Sequence, residues 1–314
     1  MTACLILNPR AGRSRAELRI ARLLRSTTLP CPLLRTEGPG HARRLASEAV
    51  RQGCSLVIAA GGDGTVHEVA CGMLETEMPD LAMGVLPIGS ANDFAWSIQR
   101  QVQTAQHSIR LAAHGFSTPT YEMNVDVGVA TTLDSKREYF IESLGTGLSG
   151  WVMAESRSIA WMQGISLYAW ATFRALLRYR PVTMTLRCDE THLKDSTLLF
   201  SALLGNREGS FVLAPDARND DGKLDYIHAR SLSLWKSLWM IPRVALAGPP
   251  RNDPAICLGQ CKEVEVTSDS DLVVHIDGEL FASLSDHVRS LKIELLPKRL
   301  HVAIFDTSLD LTPP

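Results

Sequence analysis

The stretch "AAGGDGTVHEV" (Ala59–Val69) places three glycines and an aspartate directly behind the apolar run "SLVIAA" (55–60) and directly ahead of a helical pattern. Glycines at a strand-to-helix turn let backbone N–H groups approach an anion closely, and the helix N-terminus adds partial positive charge. Asp63 is the odd member, because a carboxylate repels phosphate. It makes sense where it holds a cation bridging phosphates, or takes a proton from an attacking hydroxyl. The plainer alternative is that Asp63 and Thr65 cap the helix.

Two flanking segments repeat the arrangement. "LNPRAGR" (7–13) follows the apolar run "CLILN" (4–8), and "LPIGSANDFA" (86–95) follows "MGVLPIG" (83–89). Strands are expected at 4–8, 31–36, 55–60 and 83–89, with helices at 14–26, 40–53, 65–76 and 91–114. That alternation predicts a doubly wound α/β lobe over 1–120 with a parallel sheet. The carboxyl edge of such a sheet is where ligands bind, and three Gly-rich loops fall on it.

From about residue 120 the pattern changes. "YEMNVDVGVATT", "KREYFIESLG", "LVVHIDGEL", "SLKIELLP" and similar runs predict a mostly antiparallel, β-sandwich lobe over 121–298, interrupted by helices near 157–178 and 231–247. The strand "RLHVAIF", within 299–306, is expected to return to the first lobe. A cleft between the lobes is the expected nucleotide site.

Composition narrows the class. With 314 residues and a net charge of -2, the chain is long enough for two domains and does not point to nucleic acid. Residues 1–60 hold ten arginines, no lysine and three acids (Glu17, Glu37, Glu48), a basic face or a set of solvated helix surfaces. Seven scattered cysteines suit a reducing cytoplasm, and nothing completes Cys257 and Cys261 as a zinc site. The longest uncharged run, Ser158–Phe173, is shorter than a bilayer span. "SIAWMQGISLYAWATFRALLRYR" and "LSLWKSLWMIPRVAL" combine tryptophan (Trp161, Trp170, Trp235, Trp239) with Arg174, Arg178 and Arg180, which suits a membrane interface or helices that cover the β lobe.

Two acidic segments remain. Asp216, Asp220 and Asp221 crowd a turn before Gly222, which reads as a hard-cation site or a solvated turn. In "LVVHIDGEL", strand alternation puts Asp277 and Glu279 on one face, while Asp277-Gly278 is also a hairpin-turn signal.

The pieces "LNPRAGR", "GGDGTVHEV", "LPIGSANDFA", "NVDVG" (124–128), "APDARNDDGKLD" (214–225) and "HIDGE" (275–279) together resemble the diacylglycerol kinase catalytic-domain family, specifically its soluble bacterial lipid kinases. They run in the family's order over almost the whole chain. The resemblance implies an ATP- and Mg²⁺-dependent kinase that phosphorylates a lipid hydroxyl. It implies nucleotide contacts at Asn8, Gly12, Gly61, Gly62, Asp63, Gly64, Thr65, Gly89, Ser90, Asn92, Asp93 and Asp126. It implies a cation loop at Asp216, Asp220 and Asp221, and Asp277 as general base beside Glu279, a further metal ligand. Asp63, Asp277 and Glu279 are then the catalytic set. The expected setting is the cytoplasm, in peripheral contact with the inner face of the membrane that presents the lipid acceptor; a homodimer is open. The chain departs from the family at His67, where asparagine is usual, and at Glu142, where an amide is usual. The rivals are an NAD kinase and a catalytically silent nucleotide- or lipid-binding regulator.

Overall fold

The computed structural model describes residues 3–14, 31–78, 81–104, 121–159 and 165–304. The described residues up to Val125, with those from Lys298 onward, form one compact unit, and Asp126–Pro297 form a second.

In the first unit, strands β1 (Ala3–Leu7), β2 (Leu33–Arg35), β3 (Leu56–Gly61) and β4 (Ala82–Pro87) run parallel in the order β2-β1-β3-β4. Residues 301–303 add a further parallel strand beside β4. Continuous apolar sequence is what a parallel strand covered on both faces requires, and β1 and β3 are buried at every position. Helices His41–Arg51, Asp63–Leu74 and Asp93–Thr104 connect the strands. Of the helix expected at 14–26, only Ser14 falls within the described residues, as the end of the short helix Ala11–Ser14, and 105–114 of the helical region expected at 91–114 lies outside them.

The second unit carries β5 (Tyr121–Thr132, entering from the first), β6 (Arg137–Phe140), β7 (Ser143–Gly147), β8 (Val182–Cys188), β9 (Thr191–Leu203), β10 (Arg207–Glu208), β11 (Phe211–Val212), β12 (Leu224–Arg230), β13 (Ile256–Cys261), β14 (Glu263–Ser268), β15 (Val274–Ile276), β16 (Glu279–Ala282) and β17 (Ser290–Ile304, which leaves for the first). Its main sheet is antiparallel in the order β16-β15-β7-β9-β8-β14-β17, with β12 also on β9 and β13 on β12. Inward positions such as Phe140, Leu144, Leu186, Phe200 and Ile293 build its core.

Three local expectations change. "KREYFIESLG" is two strands, β6 and β7, rather than one. A helix, Leu148–Arg157, follows β7 where none was expected. Gly150 weakens its helical pattern, yet the fold needs that glycine, because a Cβ there would overlap the Val273 carbonyl. "SLKIELLP" and "RLHVAIF" are one strand, β17, which continues past Pro297 by way of Lys298 at φ 53°. Among the described residues no helix is long and apolar enough to cross a membrane.

The helices His41–Arg51 and Asp63–Leu74 pack closely. Ser47 Oγ donates to the Gly72 carbonyl at 2.8 Å, and a Cβ on Gly72 would overlap the Arg43 carbonyl. Helix propensity alone says that Gly72→Ala stabilises by about 1 kcal/mol. Overpacking against backbone costs about 1–3 kcal/mol and outweighs it. The expected outcome is a lower urea midpoint; an unchanged or higher midpoint would show that the two helices separate freely.

Candidate active site

The first unit ties three strand ends into one block. At the end of β1, Asn8 Nδ2 donates to Thr65 Oγ1 at 3.1 Å, and Asn8 Oδ1 accepts the Arg10 N–H at 3.0 Å. Gly12, at φ 57°, lies against the loop after β4, where a Cβ would sit 2.5 Å from the Ile88 carbonyl oxygen. At the end of β3, the Gly61 carbonyl accepts the N–H groups of Ile88 and Gly89 at 2.8 and 3.2 Å. Gly62 and Gly89 then meet backbone to backbone. A Cβ on Gly62 would come within 3.2 Å of the Gly89 Cα, and one on Gly89 would overlap Gly62. The spacing of glycines in two separate motifs is thus one contact.

Asp63 completes the block. It opens the helix Asp63–Leu74 without capping it. Its carboxylate reaches across instead, accepting the N–H groups of Asn92 and Asp93 at 2.8 and 2.7 Å, at the start of the helix Asp93–Thr104. Helix N-termini leave N–H groups without intrahelical partners, and Asp63 supplies two. Burial raises the Asp63 carboxyl to about 7, and the charge of Asp93 adds to the rise. The two N–H bonds work the other way. Asn92, at φ 52°, donates to the Gly89 carbonyl at 2.9 Å. Thr65 and Asp93 are buried, Gly64 is half-buried and Ser90 is exposed. His67, the departure in this motif, is buried with its ring against Cys71 Sγ at 3.7 Å.

In the second unit, Asp126 on β5 is fully buried. Its N–H donates to the Asn219 carbonyl at 2.7 Å, and its Oδ2 accepts the Gly222 N–H at 2.7 Å. It therefore clamps both ends of the acidic turn. Within that turn Asp216 pairs with Arg251, and Asp220 pairs with Arg218 at 3.1 Å. Asp221 Oδ1 accepts the Lys223 N–H at 3.1 Å, and burial raises its carboxyl above the usual range. Asp225 belongs with them although the sequence did not single it out. Burial raises it to about 6, and the charges of Asp221 and Asp216 add to that. Its signal was its place in the same motif, four residues after Asp221.

Asp277 and Glu279 separate. Asp277-Gly278 is the two-residue turn of the β15–β16 hairpin, with φ of 48° and 81°. Left-handed conformation at both positions is the tight-hairpin requirement. The strand alternation that would put the two acids on one face therefore ends at Ile276. Asp277 is buried, and its carboxylate accepts three backbone N–H groups, from Ile141 (3.0 Å), Glu142 (2.9 Å) and Ser143 (3.0 Å). Glu279 is exposed and pairs with Arg157. Among the described contacts none brings Glu279 to the acidic turn's carboxylates, where its expected metal role would need it. Glu142 is buried, with Oε1 accepting the Arg207 N–H at 3.3 Å.

Trp161 lies outside the described residues. Trp170 is exposed and stacked on Phe173 at 5.6 Å. Arg174 and Arg178, expected at a membrane interface or on helices that cover the β lobe, are both paired with the buried Glu155, at 2.9 and 2.7 Å.

Comparison with known proteins gives two family models in tandem. The diacylglycerol kinase catalytic domain matches residues 2–123, and the YegS C-terminal NAD kinase beta sandwich-like domain matches 142–304, more than half of the chain. The chain is 27% identical to a diacylglycerol kinase of Bacillus subtilis (strain 168), covering 88% of this chain and 89% of the relative. It is 28% identical to a "Probable lipid kinase YegS-like" of Klebsiella pneumoniae (strain 342), covering 94% and 93%. A crystal structure of a diacylglycerol kinase from Bacillus anthracis str. Sterne shares the fold, with a TM-score of 0.66 at 20% identity over 96% of each chain. The chain belongs to the family of lipid kinases built from a diacylglycerol kinase catalytic domain and a YegS-type C-terminal β-sandwich.

Proposed function

We propose that the chain transfers the γ-phosphate of ATP, with Mg²⁺, to the hydroxyl of a diacylglycerol-like lipid, in peripheral contact with the cytoplasmic face of a membrane. The observation that carries this reading is the block of three strand-end loops, joined by the Gly62–Gly89 contact and the Asp63 carboxylate, in a chain of a lipid kinase family.

The residues suit a magnesium nucleotide. Close backbone approach at Gly61–Thr65 favours phosphate oxygens, and the helix start beside it adds partial positive charge. Asp63 and Asp93 form a carboxylate pair whose mutual repulsion a divalent cation would relieve. When bound, Mg–ATP supplies an electrophilic γ-phosphoryl group whose negative charge is spread over its oxygens. Asn8 holds the Thr65 hydroxyl in place beside the phosphate loop. Asp126 holds the acidic turn, where Asp216, Asp220, Asp221 and Asp225 would take a cation. Asp277 accepts the proton of the lipid hydroxyl. Three backbone N–H bonds fix this carboxylate in place. Glu279 is an exposed neighbour rather than a second catalytic acid.

Labelled ATP offered with dispersed diacylglycerol and with NAD tests the proposal directly. Label in the lipid is the expected result; label in NAD alone would replace the reading with an NAD kinase. Asp277→Asn keeps the shape but cannot take the proton, so transfer should fall by about 10²–10⁴-fold while ATP binding persists. Glu279→Gln should change the rate by less than about threefold, as expected for an exposed ion pair with little energetic weight. Equal losses in the two variants would refute this division of roles.

Asp63 gives a pH prediction. Its carboxyl is raised from 3.8 to about 7, so ionising it opposes folding. The cation-free protein should lose stability as pH rises between about 4 and about 7 from this group. Asp63→Asn removes the charge at every pH and should abolish transfer. Comparing melting temperatures at pH 5 and pH 8, the native protein should lose more than the variant does; an identical pH dependence would show that Asp63 is not the buried acid described. In the second unit, Mg²⁺ should raise the melting temperature of the native protein and not that of Asp221→Asn/Asp225→Asn. A rise of equal size in both would place the cation elsewhere.

A further inference from the structure

Two helices of the second unit, Ile165–Arg178 and Leu234–Ala247, touch each other and expose large apolar side chains. In the second, Leu246 is 90% exposed, Trp235 80% and Trp239 62%, although Met240 already supplies an inward apolar side chain. An amphipathic helix of a globular protein shows a polar outer face instead. Trp170, Phe173 and Leu177 of the first helix are exposed as well. So much apolar side chain facing out on adjoining helices marks an interaction surface rather than scattered surface residues.

The charge on these helices selects the occupant. Neither contains an aspartate or glutamate; both contain cations, Arg174 and Arg178 in one, Lys236 and Arg243 in the other. Buried Glu155 neutralises part of the first pair, and Asp253 takes Lys236. Arg243 lies over the Trp239 ring at 5.3 Å, so a cation and an aromatic share one spot on the exposed face. A second copy of the chain meeting this face would bring the same acid-free helices together, with no carboxylate on either to pair Arg243. A bilayer with anionic headgroups suits it: tryptophan settles at the headgroup–acyl boundary, and arginine meets lipid phosphate.

We propose that this two-helix face docks the protein on an anionic bilayer, with Trp235, Trp239 and Leu246 entering the interface and Arg243 meeting headgroup phosphate. The proposal deepens the lipid kinase reading, since it assigns the surface by which the chain reaches the membrane holding its acceptor. Binding without turnover tests it. The full chain is sedimented with vesicles of phosphatidylcholine, with and without phosphatidylglycerol, and tryptophan emission is followed.

The native protein should pellet with the phosphatidylglycerol vesicles and shift its emission to the blue. Trp235→Ser/Trp239→Ser should weaken that binding by about tenfold or more, because membrane affinity scales with the apolar area buried. Both side chains are solvent-exposed, so the variant should keep the native circular dichroism and its phosphorylation of detergent-dispersed diacylglycerol. Arg243→Glu should weaken binding to the anionic vesicles and leave any residual binding to pure phosphatidylcholine unchanged. Vesicle binding by the double variant equal to that of the native protein overturns the proposal. So does a native protein that ignores both vesicles, or one that sediments as a dimer which the double substitution dissociates. Failure of both proteins to phosphorylate any dispersed lipid, with the vesicle difference intact, overturns the kinase reading and leaves the docking surface standing.

Discussion

The carboxylate of Asp63 is the contact on which the first unit's candidate site depends. Two of its oxygens take two N–H groups from another loop, and the glycine pair Gly62–Gly89 lets that loop come close enough. Each part requires the others. A Cβ at position 89 would push the loops apart, and Asn92 and Asp93 would lose their acceptor. Without the carboxylate, the start of a helix would need water for two N–H groups. The arrangement has a cost, because the half-buried Asp63 lies near Asp93 and its charge is disfavoured. A helix cap alone would not need a second carboxylate beside it.

The second unit uses the same device twice. Asp126 fixes the acidic turn through the Gly222 N–H, and Asp277 fixes its own turn against residues 141–143. Both are buried and bonded to backbone. The exposed Asp216 and Glu279 and the half-buried Asp220 meet arginine side chains instead. Exposed pairs contribute little and exchange readily for another cation. The division is physical: buried carboxylates set the loop geometry, and exposed ones are available to a ligand. Asp277 belongs to the first kind by its bonds.

Much of this was legible in the sequence, for specific reasons. Parallel strands need unbroken apolar runs, so "LVIAAG" declared itself, and a glycine loop after such a run has few meanings. What a single sequence could not show was which loops touch. Gly62 and Gly89 are separate motif members in the chain and one contact in space. The Asp277-Gly278 turn was one of two readings of "LVVHIDGEL", because the segment alternates as a strand does up to the residue where it reverses. The helix Leu148–Arg157 was hidden because Gly150, which weakens the pattern, is demanded by the Val273 backbone beside it. Pro297 reads as a strand end, yet β17 continues past it by way of Lys298 in left-handed conformation. Asp225 was hidden because its rise comes from its surroundings, burial and the charges of Asp221 and Asp216, which residue type does not show.

Glu142 shows how a departure from the family pattern is absorbed. A carboxylate accepts hydrogen bonds and donates none when ionised, whereas the usual amide does both. Here the Arg207 N–H donates to the carboxylate at Oε1, while the N–H groups of Leu204 and Gly205 hold the Glu142 main-chain carbonyl at 2.8 and 3.3 Å. Gly205 leaves the space, since a Cβ there would overlap both carboxylate oxygens. The acid and the glycine therefore act as a pair, and a residue larger than glycine at 205 would have to displace Glu142. That matters beyond position 142, because the Glu142 N–H is one of the three that hold Asp277. A substitution that looks local to an acceptor pocket is joined through one peptide unit to the residue proposed to take the proton.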